Sequence, residues 1–190
     1  MIQHKKRFAV IFLLCVAIIW YIFFKPTFLM NGNNKKNIVE TIQSLNEPNQ
    51  SIEIIKIYDL KKERYVAYLQ DNIPAYIHFK KNNLGNYKFI NADYGYTNLE
   101  NKTEENLQVF PLFRGYKDGK PLPLDLLVIT NYENTVAKLD VRVVNATGSI
   151  EKNEINVGKP SASILTMYKA SEAFSLEYKY FDKNGKLLSN

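Results

Sequence analysis

The pattern of apolar residues begins with one uninterrupted run from Phe8 to Phe24, FAVIFLLCVAIIWYIFF, which contains no charged residue. A helix of this length rises about 25 Å, close to the ~30 Å thickness of a hydrocarbon core. Most of the run is Leu, Ile, Val and Phe, each of which favours membrane insertion by about 0.3–0.6 kcal/mol. The pattern therefore predicts a transmembrane helix over residues 8–24, followed by a polar linker over residues 25–34.

The apolar spacing changes after the linker. Ile38, Val39, Ile42 and Leu45 recur at intervals of three and four residues in KKNIVETIQSLN. This spacing places them on one face of a helix. We therefore predict an amphipathic helix from Lys35 to Leu45 that packs on a sheet.

The spacing then becomes alternating, which is typical of strands. Because short turns separate these segments, they are expected to form an antiparallel meander. Asn82–Asn86 is predicted to be one of these turns, since Gly and Asn tolerate positive φ. The apolar positions do not all share one face, so their pattern leaves the register open. The four predicted strands are SIEIIKIYDL, RYVAYLQ, AYIHFKK and NYKFINADYGY.

The second half of the chain is also strand-like. Pro111 in VFPLFRGY favours an edge strand, and the Pro-containing segment from Lys117 to Asp125 predicts a boundary between two lobes. Asn184-Gly185 predicts a final hairpin turn. The predicted strands are LLVITNY, VAKLDVRVV, residues 150–157, ASILTMYKA, FSLEYKYF and LLS.

These patterns together predict an α+β protein with one N-terminal transmembrane helix and a mainly antiparallel β ectodomain. Residues 35–117 form the lobe of the short helix and the meander. Residues 124–190 form a small lobe that resembles a β-sandwich. The layout is similar to β-modules of bacterial envelope proteins, but no motif identifies a family.

Charge predicts the orientation of the apolar run. Lys5, Lys6 and Arg7 lie in the tail of residues 1–7 before it, so the positive-inside rule keeps this tail cytoplasmic and places the rest outside the cell membrane. Residues 18–30 lack the small-residue pattern of a signal-peptidase site. The run is therefore predicted to be an uncleaved signal anchor of a single-pass protein. Cleavage is the alternative and would give a secreted binding protein.

Net charge and cysteine content limit the class of partner and the setting in which the protein works. Net charge is +6, but four of the positive charges precede Pro26 and only +2 remains beyond them, which does not form the clustered basic face of a nucleic-acid-binding protein. Cys15 is the single cysteine, so no disulfide holds the chain. A disulfide-free ectodomain favours a bacterial surface.

Few residues suit catalysis. His78 is the only histidine beyond the N-terminal tail, and its position within YIHFKK favours a cross-strand role. The chain contains no G-x-S-x-G elbow and no Gly-rich phosphate loop, and a zinc site of histidine and cysteine is excluded beyond the apolar run. No catalytic residue, cofactor or metal ligand is predicted. Paired carboxylates for glycoside cleavage stay open; the acids in or near the meander include Glu53, Asp59, Asp71 and Asp93.

Tyrosine is unusually frequent, with 13 residues, all but Tyr21 beyond the apolar run. Tyrosine suits ordinary strand packing, and it also suits contact surfaces because it offers a large amphipathic area at low entropic cost. Tyr94 and Tyr96 alternate at a Gly-containing strand end. They are predicted to be a possible interaction surface.

The resulting functional hypothesis is a membrane-anchored, extracytoplasmic module that binds or regulates without catalysis at the bacterial envelope. Its expected partners are the lipid bilayer, through Phe8 to Phe24, and an unknown envelope protein or polymer, with no nucleic acid. One alternative is a hydrolase of wall polymer that uses two carboxylates converging in a cleft. Another is a surface scaffold whose apolar helix itself binds a membrane protein.

Overall fold

The computed structural model describes residues 10–21, 30–46, 49–95, 105–112, 116–117, 120–121, 123–146, 148–168 and 174–189. Residues 10–21 form helix α1, and Lys35–Leu45 forms helix α2. The rest of the described chain is mostly antiparallel β structure. The predicted α+β class is therefore wrong, because strands dominate the two helices.

The prediction of a transmembrane helix over residues 8–24 is also wrong. Among the described residues, no helix is both long and apolar enough to cross a membrane. The structure therefore does not support a single-pass transmembrane protein.

Helix α2 has the bounds that its apolar spacing predicts. Asn34 caps its N-terminus, since the Asn34 side chain accepts a hydrogen bond of 2.9 Å from the Asn37 amide. Ile38 and Ile42 are fully buried on one face, and Thr41 between them is buried and donates its hydroxyl hydrogen to Asn37 O. This apolar face stabilises the helix, because an isolated helix of this length is marginal in water.

The first sheet has the strand order β1-β2-β3-β4 that a meander predicts. Two-residue turns at 61–62 and 71–72 join β1 to β2 and β2 to β3, so these neighbours are antiparallel. Gly85 has a φ of 88° in the turn predicted at Asn82–Asn86. The strands are β1 Ile52–Leu60, β2 Glu63–Gln70, β3 Ile73–Lys81 and β4 Tyr87–Tyr94.

Burial along these strands explains why the sequence left their register open. Residues 65–69 of β2 and 74–77 of β3 are buried without alternation, as expected of strands covered on both faces. In the edge strand β1 the alternation of exposure is interrupted at residues 54–57, where two part-buried and then two exposed residues follow one another. Buried and exposed residues therefore do not alternate strictly along these strands of the first sheet.

Two further sheets enclose one hydrophobic core. One has the order β10-β9-β12-β13 and the other has the order β11-β8-β5. Leu126 and Val128 of β8 pack in the same cluster as Leu139 and Val141 of β9. The strands are β5 Leu107–Leu112, β8 Leu124–Thr130, β9 Lys138–Asn145, β10 Gly148–Asn156, β11 Ser161–Met167, β12 Ser175–Phe181 and β13 Leu187–Ser189.

Several local predictions in this half are confirmed. Pro111 lies in β5, which is an edge strand, where its missing N–H does not interrupt a ladder. Gly185 has a φ of 78° in the hairpin turn between β12 and β13, and the Asp182 amide donates to Lys186 O across it. A short two-stranded ribbon of β6 Tyr116–Lys117 and β7 Lys120–Pro121 overlaps the segment predicted as a lobe boundary, and the boundary itself stays a prediction.

The chain divides into two compact units. The first comprises Met1–Gln50, Tyr58–Tyr65 and Ile77–Asn91. The second comprises Ser51–Ile57, Val66–Tyr76 and Ala92–Asn190. The first unit contains α2, and the second contains the core between the two later sheets. The predicted lobes over 35–117 and 124–190 stay a prediction.

Candidate binding pocket

The second unit contains a concave pocket of about 260 Å³. Its floor includes Leu69, which is 2% exposed, and the other lining side chains are polar. They come from the start of β1, the end of β2, the β2–β3 turn and the segment that follows β8. The lining residues are Ser51, Glu53, Leu69, Asn72, Tyr132 and Glu133.

A strained turn forms one side of the pocket. Asp71 and Asn72 both have positive φ, 49° and 67°, a conformation that Asn and Asp tolerate better than most residues. The Asn131 side chain donates a hydrogen bond of 3.0 Å to Asn72 O, and the Tyr132 amide donates at 3.4 Å to Asn72 Oδ1. The turn and the 131–133 segment are therefore held against each other by side-chain hydrogen bonds.

Buried asparagines shape the segment that carries Tyr132. Asn131 accepts a hydrogen bond of 3.0 Å from the Glu133 amide, and Asn134 accepts one of 3.0 Å from the Val136 amide. Both asparagines are almost fully buried. The side-chain oxygens of these two asparagines thus accept hydrogen bonds from backbone N–H groups two residues further along. The segment can therefore turn sharply, and it projects Tyr132 and Glu133 outward.

Tyr132 is the aromatic wall of the pocket. Its side chain is 54% exposed, and its hydroxyl donates a hydrogen bond of 2.8 Å to Glu53 Oε1. This bond holds the proton on the phenol and raises the pKa of Tyr132 above its usual value. An exposed aromatic ring held in one orientation is a favourable contact surface.

Two exposed carboxylates give the pocket its charge. Glu53 Oε1 accepts from Tyr132, and Glu133 Oε1 accepts a long bond of 3.4 Å from the Asn72 side chain. The second oxygen of each carboxylate has no hydrogen bond within the described chain, and no basic side chain lines the pocket. Ser51 at the rim is already engaged, because its amide and hydroxyl both donate to Asp71 Oδ1 at 2.9 Å.

The arrangement offers several groups that can contact a ligand. It combines an apolar floor, an oriented ring and two acceptors with spare lone pairs. Among the described residues, no group of three or more His, Cys, Asp or Glu is arranged to hold a metal ion. The pocket is therefore best suited to a small group that carries hydrogen-bond donors.

His78 lies in the first unit, where it links three strands. Its ring stacks on Tyr65 with centroids 4.4 Å apart, Nε2 lies 2.8 Å from Glu63 Oε2, and Nδ1 lies 3.2 Å from Asn91 Oδ1. The predicted cross-strand role is confirmed by these contacts.

The predicted tyrosine pair is described only in part. Tyr94 is half-buried, and its hydroxyl is buried near that of Tyr68. Burial and the neighbouring Tyr94 together raise the pKa of the Tyr68 phenol, although neither hydroxyl makes a hydrogen bond of standard geometry. Tyr96 lies outside the described residues. A surface formed by Tyr94 and Tyr96 stays a prediction.

Of the carboxylates singled out from the sequence, only Glu53 lines the pocket. Asp71 binds Ser51 beside it, Asp59 pairs with Arg64 in the first unit, and Asp93 accepts a hydrogen bond from the Tyr94 amide. The other five pocket residues were not singled out as site residues: Ser51, Leu69, Asn72, Tyr132 and Glu133. The polar stretch NYEN directly after a buried strand was the available signal, since such segments position binding residues.

Comparison with known proteins does not place the chain in a family. No protein-family model matches it, and no curated protein is significantly similar.

Proposed function

We propose that this protein is a non-catalytic binding module of the bacterial cell envelope, and that the pocket beside Tyr132 binds its partner. The observation that carries the proposal is the exposed Tyr132 ring, fixed by its hydrogen bond to Glu53 above a concave, partly apolar surface. Binding sites commonly combine such an apolar surface with a few placed polar groups.

The partner is an envelope component that presents a side-chain-sized group to this pocket. The cavity of about 260 Å³ is slightly below the ~300–1,000 Å³ of pockets that enclose drug-sized ligands. A small projecting group of a larger molecule fits that size better than a free cofactor does.

Hydrolysis of a wall polymer is the second candidate, because two carboxylates line one pocket. Glycosidases need one carboxyl that stays protonated, which burial in an apolar site achieves. Glu53 and Glu133 are both exposed, so neither has the apolar surroundings of such an acid. Their exposure favours binding over acid catalysis.

The proposed location is extracytoplasmic. The basic residues Lys5–Arg7 followed by an apolar run support export. Every described residue of helix α1 is exposed, and most are large and apolar, so contact of this segment with lipid is part of the proposal. Protease treatment of intact cells that produce a C-terminally tagged chain tests the location, because only an external tag is removed.

The binding function is tested by co-sedimentation of the full-length chain with washed envelopes of the producing cells. We expect saturable binding by the wild type and a loss of about tenfold in affinity for Tyr132→Ala, since exposed aromatic anchors commonly contribute 1–2 kcal/mol or more. Tyr168→Ala is the matched control, because Tyr168 is 73% exposed in the same unit but outside the pocket.

Two results would overturn the binding proposal. One is the absence of saturable envelope binding by the wild type. The other is equal affinity of the Tyr132→Ala variant and the wild type. Release of soluble wall fragments by the purified chain, lost in Glu53→Gln, would instead favour the hydrolase.

A further inference from the structure

The pocket beside Tyr132 carries negative charge without a compensating cation. Glu53 and Glu133 each use one carboxylate oxygen to accept a hydrogen bond from a neutral donor, the Tyr132 hydroxyl and the Asn72 side-chain amide respectively. Neither carboxylate forms an ion pair within the described chain. A cationic ligand would therefore gain two charge-assisted contacts without displacing an existing ion pair.

Several other acidic residues of the described chain already have a cationic partner. Asp59 is paired with Arg64, Glu63 with Lys80, and Asp140 with Lys138 and Lys152. Carboxylates unpaired among the described residues, such as Glu177, also occur on exposed strands. Glu53 and Glu133 differ from Glu177 because both line one pocket, where a single ligand can reach the two carboxylates.

The remaining lining fits an alkyl chain that ends in a charge. Leu69 provides an apolar floor, and the half-exposed Tyr132 ring provides a face that attracts cations. Long cationic side chains place their methylene stems on such apolar surface and keep the charge at its edge. The apolar stem of such a ligand therefore matches the Leu69 floor, and its positive charge matches the two carboxylates.

We propose that the pocket recognises a primary alkylammonium group, as presented by a lysine-type side chain of an envelope peptide. An ammonium has three divergent N–H donors, which suit two separate carboxylates and the Tyr132 ring. A guanidinium instead favours a planar fork onto a single carboxylate. This inference rests on the proposed binding function and names the group that the same pocket takes.

The test is a titration of the ¹⁵N-labelled full-length chain with Nα-acetyl-lysine methylamide, followed at the backbone amide of Tyr132 by NMR. The neutral comparison ligand is Nα-acetyl-norleucine methylamide, and the guanidinium comparison ligand is Nα-acetyl-arginine methylamide. We expect saturable shifts with a millimolar dissociation constant for the lysine probe, weaker binding of the arginine probe and none of the norleucine probe.

Substitution of each carboxylate tests whether it contacts the ammonium group. Glu53→Gln and Glu133→Gln should each weaken lysine binding about two- to fivefold, as exposed ion pairs do, and higher salt should weaken it further. Glu177→Gln is the matched control, since Glu177 is an exposed glutamate of strand β12 in the same unit. It should leave the dissociation constant unchanged.

The outcomes separate this inference from the binding function. Absence of lysine binding, tighter binding of the arginine probe, or binding of the lysine probe by both glutamine variants as tightly as by the wild type overturns the ammonium assignment. If envelope co-sedimentation still depends on Tyr132 in that case, the binding function stands and only the ligand class is wrong. If neither the probe nor the envelope binds, both proposals fail.

Discussion

The Tyr132 hydroxyl donates a hydrogen bond of 2.8 Å to Glu53 Oε1, across 79 positions of the sequence. The bond fixes an exposed aromatic ring beside a carboxylate at the mouth of a pocket. It also raises the pKa of the Tyr132 phenol, because the negative carboxylate favours the protonated partner.

Glu53→Gln should therefore lower the pKa of Tyr132 towards the usual value of 10.0. Since the folded pKa is raised, the stabilisation from this bond is present below pH 10 and is lost as the pH rises through the folded value. Site-resolved NMR titration of the tyrosine rings measures the change directly. An unchanged Tyr132 pKa in this variant would show that the bond is not formed in solution.

Gly32 packs against the ring of Phe79 in the first unit. A Cβ added at Gly32 would lie 2.6 Å from Phe79 Cγ, closer than real Cβ contacts allow. Gly32→Ala should therefore lower the free energy of unfolding by about 1–3 kcal/mol, as overpacking does. Chemical denaturation measures this.

Gly158→Ala is the matched control for that substitution. A Cβ at Gly158 would have its nearest neighbour, Ser161 Cβ, at 3.6 Å, which is ordinary van der Waals contact. Its free energy of unfolding should stay within about 0.5 kcal/mol of the wild type or rise, because alanine restricts the unfolded chain. Equal destabilisation by both variants would contradict the packing argument.

Arg64 joins several parts of the first unit. Its Nε and Nη2 donate to the two carboxylate oxygens of Asp59 at 2.6 and 2.7 Å, Nη1 donates to Gly32 O at 2.6 Å, and the guanidinium lies 3.9 Å from the Tyr87 ring centroid. Arg64→Lys cannot keep this planar fork, so we expect a loss of about 1 kcal/mol, limited by the exposure of Asp59. Lys36→Gln, on the exposed face of α2, is the control and should be nearly neutral.

This pair also has an acid dependence. The hydrogen bonds from Arg64 hold the pKa of Asp59 below its usual value of 3.8. The stabilisation is therefore present above about pH 4 and is lost as the pH falls through the lower folded value. The difference in stability between the wild type and Asp59→Asn should narrow over that range. A constant difference from pH 7 to pH 2 would contradict the assignment.

Asp140 is a buried carboxylate in the second unit, with Lys138 Nζ at 3.5 Å and Lys152 Nζ at 3.2 Å. Asp140→Asn removes the charge that faces both lysines, so the free energy of unfolding should fall by about 2 kcal/mol. Glu154→Gln, at the exposed side of the same cluster, should change stability little. A larger effect at Glu154 than at Asp140 would contradict this ranking.

Local structure was predictable where a few neighbouring residues decide it. The spacing of Ile38 and Ile42 defines the buried face of α2, and the Asn184-Gly185 pair defines a hairpin turn. Pro111 excludes a central strand, and its strand lies at an edge. In each case the residues that decide the local structure lie close together in the sequence.

The pocket was not predictable in this way. Glu53 and Tyr132 meet only because the fold brings together residues that no periodic pattern relates, and the interrupted alternation of β1 obscures which face Glu53 occupies. The N-terminal prediction failed for a different reason. Hydropathy measures only the preference of residues for lipid, whereas a span also requires a helix of sufficient length, and no helix among the described residues is both long and apolar enough.

The most direct test of the pocket as the binding surface is photo-cross-linking in living cells, with p-benzoylphenylalanine in place of Ser51 at the pocket rim or of Tyr168 outside the pocket. We predict a discrete cross-linked product from position 51 that decreases when Tyr132→Ala is added, and no such product from position 168. Equal products from both positions, or a product from position 51 that is unchanged by Tyr132→Ala, would contradict the assignment of the pocket.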